Sequence, residues 1–524
     1  MTGTLALLWL ALRRDRVMLP VWVAVVVAVV IATASAIAEL YDDPAQRLLL
    51  DSTVAANPAL VAMTGPIFDP TSLGGLTAWR VCGVATVLVA LMSVILVIRH
   101  TRAEEESGRA ELVGSAVVGR HALPAAAVIL VAAADLAAGL AVTAALAGLG
   151  LQGAFAFGMS IAGTGWLFAG LAVLAAQLTQ HAHTASAIGH ASVGVAFVLR
   201  AAGDASGLEW LSWTSPLGWA QRVRPFAGEQ WWVLGLLAAV ALGLVGAAVL
   251  LARRRDLGAG LLPARRGPAA AARHLAPAWR MHRATLLGWT IAFAAVGTLF
   301  GLLAQSITAL VTDNPQIAEL LARLGGDEGT LVDTFFATEL GLLGLVAGGY
   351  AVDATLRLRA EEQAGRAEPV LATAVPRWRW AAGHLALALA GTTLILAAGG
   401  LGAGLAHGLR VGDVSGQLPR LLAAALAQAP AAWVLAGLAM LLFGALPRLT
   451  GLAWAALLAC VLLGELGQLL QIDEAIRRVS PYEHLPSLPG AGAGAAPFLW
   501  LGAVAAALVA AGLLAFRRRD LTGP

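Results

Sequence analysis

Lysine is missing from this sequence: all 34 basic residues are arginine. The chemical consequence holds whatever codon bias produced it. A phosphate-cradling P-loop needs its lysine and a Schiff-base enzyme needs an amine, so these 524 residues build neither. Cysteine is nearly missing too. Cys82 and Cys460 each sit inside an apolar run, which argues against a disulfide framework and against a reactive or metal-binding thiol. Charge is also scarce, at 12% of residues against about 25% in an ordinary soluble domain.

Apolar residues fill the space: 59% of the chain is hydrophobic. Runs of roughly 20 apolar residues recur, the length an α-helix needs to cross the hydrocarbon core. Backbone polar groups in lipid must be satisfied internally, so such runs mean helices. The spans read as 17–39, 76–98, 122–150, 157–179, 185–203 and 231–252, then 284–306, 335–356, 382–407, 421–446, 451–470 and 497–516. We number them 1 to 12. Arg13, Arg14 and Arg16 precede the first run, which continues without a small-residue cleavage site, so no cleavable signal peptide is expected. Most arginines fall on the side of the N-terminus, and the positive-inside rule then puts both termini in the cytoplasm.

The stretch from Arg253 to Arg283 carries Pro263, Pro268 and Pro277 among arginines and alanines and reads as a linker. This divides the chain into a first half, 1–255, a linker, 256–282, and a second half, 283–524. Before span 1, TLALLWLALRR has an apolar side and a basic end, as expected of an elbow helix lying along the interface.

The halves share landmarks. RAEEESGRAELVGSAVVGR (Arg102 to Arg120) follows span 2, and RAEEQAGRAEPVLATAVPR (Arg359 to Arg377) follows span 8; they align at an offset of 257 with 11 of 19 positions identical. RRRDL closes each half, from Arg253 and from Arg517, and a Ser-Pro pair precedes the last span of each, at Ser215-Pro216 and Ser480-Pro481. These landmarks indicate a duplicated unit. The expected fold is all-α: a polytopic membrane protein of about twelve helices, as two parallel six-helix repeats related by a pseudo-twofold axis along the membrane normal. Glu105 and Arg109, like Glu362 and Arg366, stand at i,i+4 spacing, which predicts a short charged helix. Positive-inside accounts for arginines there but not for the acids; a surface that docks a partner accounts for both signs.

A charged E-E-x-x-G-R-x-E segment between spans 2 and 3, an elbow helix and a six-span unit resemble the ABC-2 class of exporter permeases. The doubled form resembles the actinobacterial permeases of polyketide and tetronasin antibiotic exporters. The resemblance implies a coupling role toward a separate ATPase for Glu104, Glu105, Gly108, Arg109 and Glu111, and for Glu361, Glu362, Gly365, Arg366 and Glu368. Pro369 stands where the first copy has Leu112, a departure that could shift the second helix start. It also implies two copies of an ATPase subunit, with ATP and Mg held in those partners and no cofactor in this chain. A hydrophobic or amphipathic small molecule would be the substrate, exported as in antibiotic or multidrug efflux. WLSWTSPLGWAQRVRPF and IRRVSPYEHLPSLPG suit the class's re-entrant hairpins, and equally an outer loop with an aromatic belt.

No catalytic constellation, metal site or nucleic-acid-binding feature is expected. Arg80, Arg200, Glu339 and Glu465 lie near the outer ends of spans 2, 5, 8 and 11, bases in one half and acids in the other. They form a candidate outer gate, or else four side chains that snorkel independently. Asp135, within span 3, is a packing residue or a proton carrier. A proton-coupled multidrug transporter is therefore the alternative reading, and a lipid-modifying enzyme ranks last.

Overall fold

The computed structural model describes residues 2–55, 58–119, 121–255, 258–261, 276–312, 328–466, 473–490, 492 and 494–520. Helices dominate, and no strand occurs among the described residues. Eleven of the described helices are long and apolar enough to cross a membrane, so the chain is an all-α polytopic membrane protein. The remaining expected span, 451–470, is a shorter apolar helix, Leu452–Leu466, followed by residues outside the described set. The chain divides into two compact units, Met1–Gly267 and Pro268–Pro524.

In the first unit, Thr4–Arg14 is a helix of its own, separated from span 1 (Met18–Leu40) by a break at Asp15. Leu5, Trp9 and Leu10 stand exposed on it, an apolar face suited to a bilayer interface. Spans 2 to 6 are Leu73–His100, Ala122–Leu146, Leu151–Leu178, Ala182–Ser206 and Trp231–Ala252. Span 2 begins where the Ser72 hydroxyl accepts from the Gly75 N–H at 2.9 Å, and Asp69 accepts in turn from Ser72 and Thr71. Span 4 is the most enclosed of the six. It crosses span 3 where Gly158 meets Gly139, and a methyl on either would overlap the other's carbonyl oxygen. With no hydrophobic drive between helices in lipid, such close backbone approach is what holds them together.

In the second unit, spans 7 to 10 are Ala276–Thr312, Glu328–Gln363, Arg377–Val411 and a pair of consecutive helices, Val414–Leu426 and Ala429–Ala445; span 12 is Ala496–Arg518. Span 7 begins inside the stretch expected as linker. Pro277 falls in its first turn, where a missing N–H leaves no hydrogen bond unmade. A 3-10 turn, Pro447–Leu449, joins spans 10 and 11.

The two Ser-Pro stretches fold inward more than an aromatic belt requires. Ser215 donates to the Ala196 carbonyl at 2.6 Å and caps the short helix Pro216–Arg222, which buries Leu217 and Ala220. Ser480 precedes a 3-10 turn, Pro481–His484, whose Tyr482 hydroxyl donates to the Gly344 carbonyl of span 8 at 2.9 Å. Tyr482 thus ties this stretch to span 8.

Candidate functional site

The first charged segment starts where span 2 stops, at Thr101. A short helix, Arg102–Glu106, leads to Gly108, whose φ of 73° lies in the left-handed region open to glycine, and a second, Arg109–Gly114, follows. That break overturns the expected pairing of Glu105 with Arg109. The turn at Gly108 swings Arg109 back onto Glu104, with N–H···O distances of 2.9 and 3.0 Å. Hydrogen bonding to this carboxylate pushes the Arg109 guanidinium above its ordinary pKa.

Glu105 turns inward instead. It accepts from Arg102 at 2.5 Å and, through both oxygens, from Arg255 of the half-closing RRRDL at 2.7 and 2.8 Å. Arg255 also donates to Gln177 of span 4 at 2.7 Å. Arg102 is fully buried, and its guanidinium donates as well to the carbonyls of Gln180, Gly258 and Ala259. Next in line, Glu106 accepts from the Ala182 N–H at 2.9 Å, at the start of span 5. From the elbow, Arg14 pairs with Glu104 and Asp15 with His100 and Arg99. One charged turn thereby ties together the elbow and the adjoining ends of spans 2, 4, 5 and 6.

The second half repeats the scheme on a different frame. Span 8 runs unbroken through Glu361 and Glu362 to Gln363, Gly365 takes φ 67°, and a short helix follows over Ala367–Leu371. Pro369 sits in its first turn, where its missing N–H does no harm. Arg366 folds back on Glu361 at 2.8 Å. Glu362 accepts from Arg519, the counterpart of Arg255, at 2.7 Å, with Arg359 at 3.8 Å. The Arg519 guanidinium lies over the rings of Phe443 and Phe516, 5.0 and 5.3 Å from their centroids, and its carbonyl accepts from Arg377.

Of the ten residues singled out from the sequence, Gly108 and Gly365 make the turns and the other eight fall into two sets. Glu104, Glu105, Glu361 and Glu362 point into their own halves, with side chains between 3% and 12% exposed. Arg109, Glu111, Arg366 and Glu368 are exposed, together with Leu112 and Val117 in the first half and Trp378 in the second. Burial against arginine makes Glu105 and Glu362 ties within their own halves. Arg102, Arg255 and Arg519 were not singled out as site residues. Their signal was in the sequence, because RRRDL recurs at nearly the same offset as the charged segment and so belongs to the same duplicated device.

Of the gate candidates, Arg200 is buried within its own half. It donates to the carbonyls of Ala62 and Met63 at 2.9 Å, lies 3.8 Å from Asp204 and covers the Phe197 ring. Arg80 is exposed, Glu339 is half-buried, and the side chain of Glu465 lies outside the described residues. Asp135 is buried against Gly165 and accepts from the Ser93 hydroxyl at 2.9 Å.

An all-α, multi-span chain with a charged, internally tied turn in each half is the class of protein this fold defines. It belongs to the family of the multidrug efflux system permease protein Rv1217c. It is 42% identical to that protein of Mycobacterium tuberculosis over 533 residues, which cover 99% of this chain and 95% of the relative. Residues 272–517 match the family model described as the multidrug efflux system permease Rv1217c, C-terminal domain.

Proposed function

We propose that this chain is the membrane subunit of an ATP-driven efflux system of the ABC-2 kind, exporting hydrophobic or amphipathic molecules. A separate ATPase subunit, in two copies, docks on the two charged turns from the cytoplasm and supplies the ATP and Mg chemistry. The relative's name, a multidrug efflux system permease, supports the transport role. The observation that carries the coupling is the Glu–Arg tie in each half, Glu105 to Arg255 and Glu362 to Arg519. A push on an isolated loop would be absorbed by the loop. A push on a turn bonded to the ends of several spans moves those spans together, and buried charge-assisted hydrogen bonds are the strongest noncovalent means of holding them.

The outward residues then make the contact. Glu111 and Arg109 beside exposed Leu112, and Glu368 beside Arg366, offer both charge and apolar area, the mixture that fixes register at a docking interface. Pairing of Arg80, Arg200, Glu339 and Glu465 across the halves remains part of the proposal as an outer gate. Arg200 already has partners in its own half, so Arg80 carries more of that role.

The deciding experiment reverses charge on the exposed set alone, Glu111→Arg with Glu368→Arg. The expected result is a normally inserted, thermally unchanged permease that no longer retains its ATPase subunit and no longer extrudes substrate. Undiminished extrusion by this variant, abolished by a protonophore but not by ATP depletion, would instead favour proton coupling. Asp135→Asn would then be the next variant to make.

A further inference from the structure

Opposite the charged turn, at the far ends of spans 2, 4 and 5, the first half has a second organised region that the coupling reading does not use. It is built by the chain that follows Ser215. The short helix Pro216–Arg222 ends in two residues with left-handed backbone that are not glycine, Arg224 at φ 53° and Phe226 at φ 62°. Such residues persist only where their surroundings over-determine them, and they cluster at ligand clamps. Here the determinant is visible. The Phe226 ring seats against Gly74 of span 2 and Gly153 of span 4, and a methyl at Gly74 would lie 2.6 Å from it. With Phe226 locked, Arg224 is turned over the Phe68 ring, 4.9 Å from its centroid.

A cavity of about 490 Å³ opens beside this turn, within the roughly 300–1,000 Å³ usual for small-molecule sites. Trp213 and Trp232 form one wall, stacked at 5.4 Å with their planes 17° apart. Arg222, Arg224 and Asp204 supply the charges, and Glu209 stands exposed at the rim. Ser212 donates to one oxygen of Asp204 at 2.6 Å; the other accepts no hydrogen bond, but the largely buried side chains of Arg222 and Arg200 flank the carboxylate at 3.7 and 3.8 Å and balance its charge. With Arg224 added, positive charge is in excess among these side chains. Arg222 Nη1 is buried without a hydrogen-bond partner, and Arg224 is exposed at the cavity edge. Two of the aromatic rings already carry an arginine, Trp213 with Arg222 at 5.4 Å and Phe68 with Arg224, which places guanidinium groups beside the apolar wall.

We infer that this cavity binds an anionic amphiphile, its carboxylate, sulfonate or phosphate held by Arg222 and Arg224 and its apolar body laid against Trp213 and Trp232. The same chemistry is found in a lipid headgroup with its chains and in a free aromatic or acyl anion. Binding of 8-anilinonaphthalene-1-sulfonate to the full chain in phosphatidylcholine nanodiscs tests the inference, with empty discs as baseline. The intact chain should show saturable binding that Arg222→Gln with Arg224→Gln weakens about tenfold or more, the scale of a lost charge-assisted hydrogen bond. Arg224→Gln alone touches an exposed side chain and spares the fold; it should weaken binding by about half that factor on a logarithmic scale. Repeating the titration in discs containing phosphatidylglycerol separates the sources. Competition by that lipid, lost in the double variant, makes the ligand a headgroup; unchanged sulfonate binding makes it a free amphiphile. Either result supports the anion site. Sulfonate binding no better than in empty discs, or binding equal in the intact chain and in both variants, overturns it.

Discussion

The two charged turns share a sequence and a wiring scheme, yet each grips its last span by different physics. In the first half, Glu105 sits between two arginines and every gripping atom is a hydrogen-bond donor: Arg255 also bonds Gln177, and buried Arg102 reaches three further carbonyls. In the second half, Glu362 is more deeply buried, while Arg519 rests on the faces of Phe443 and Phe516. The ion pair recurs in the two halves, and what surrounds it differs. A hydrogen-bonded frame is directional and fails when one member is lost. A guanidinium lying over a packed pair of rings tolerates small movements, because cation–π attraction needs no single donor–acceptor alignment. The first turn is therefore the stiffer of the two, and the elbow reinforces it through Arg14 and Asp15.

The comparison is broken most severely at its centre. Glu105→Ala leaves Arg102 and Arg255 buried without their carboxylate and should destabilise the first half by about 3–5 kcal/mol. Adding Arg255→Met should restore part of the loss, since removing both charges costs less than orphaning one. Glu362→Ala should cost less, because Arg519 keeps its aromatic faces. Thermal unfolding of the purified variants in one detergent gives all three values, and equal losses in the two halves would contradict the difference drawn between them.

A second comparison isolates the ring contact. Phe443→Leu removes one ring from Arg519 and should cost the second half about 1–2 kcal/mol beyond the change in packing volume. The double variant with Arg519→Met should then show a coupling energy by mutant cycle. Additive effects would mean the rings only fill space.

The backbone turn gives a smaller and symmetrical effect. A methyl at Gly108 or Gly365 meets nothing within 4 Å, so only the left-handed backbone opposes it. Gly108→Ala and Gly365→Ala should each cost about 1–2 kcal/mol, equally in the two halves. Unequal losses would reveal a contact in one turn that the other lacks. Least of all should stability respond to Glu111→Gln or Glu368→Gln, exposed changes expected to stay within about 0.5 kcal/mol. Retention of the ATPase subunit is the property they should alter, and a permease that lost stability instead would place these residues inside the fold's own network.

Much of this molecule could be read from residue order. The apolar runs, the elbow and the two charged segments appear as helices or turns near their expected places, because apolar content and glycine position are local properties of the chain, but spans 7, 8 and 9 run past their expected ends and span 10 is two helices. Even the break at Gly108 was foreshadowed by the glycine itself. The pairings were not. Periodicity on a continuous helix puts Arg109 beside Glu105, but a left-handed residue between them resets the geometry and delivers Arg109 to Glu104. The Ser-Pro stretches left re-entrant hairpins and an aromatic belt equally open, since aromatic residues near a span end have the same composition whether they face headgroups or a neighbouring helix. The stretch past Arg222 carries no motif for its left-handed Arg224 and Phe226. Their conformation depends on two glycines far away in sequence.

Residue order alone makes this chain a helical membrane protein without lysine chemistry, and shows its charged segments and RRRDL ends recurring in the same order. Hydrophobic length, arginine distribution and internal repetition are written along the chain and need no partner to be read. Folding sets which carboxylate meets which arginine, turns Glu105 and Glu362 inward, and frames one set of arginines by hydrogen bonds and the other by rings. Those choices depend on residues some 80 to 157 positions apart meeting in space, as Arg255 meets Gln177 and Arg519 meets Glu362. A buried charge takes the partner that the packing brings within reach, and packing is a property of the whole fold.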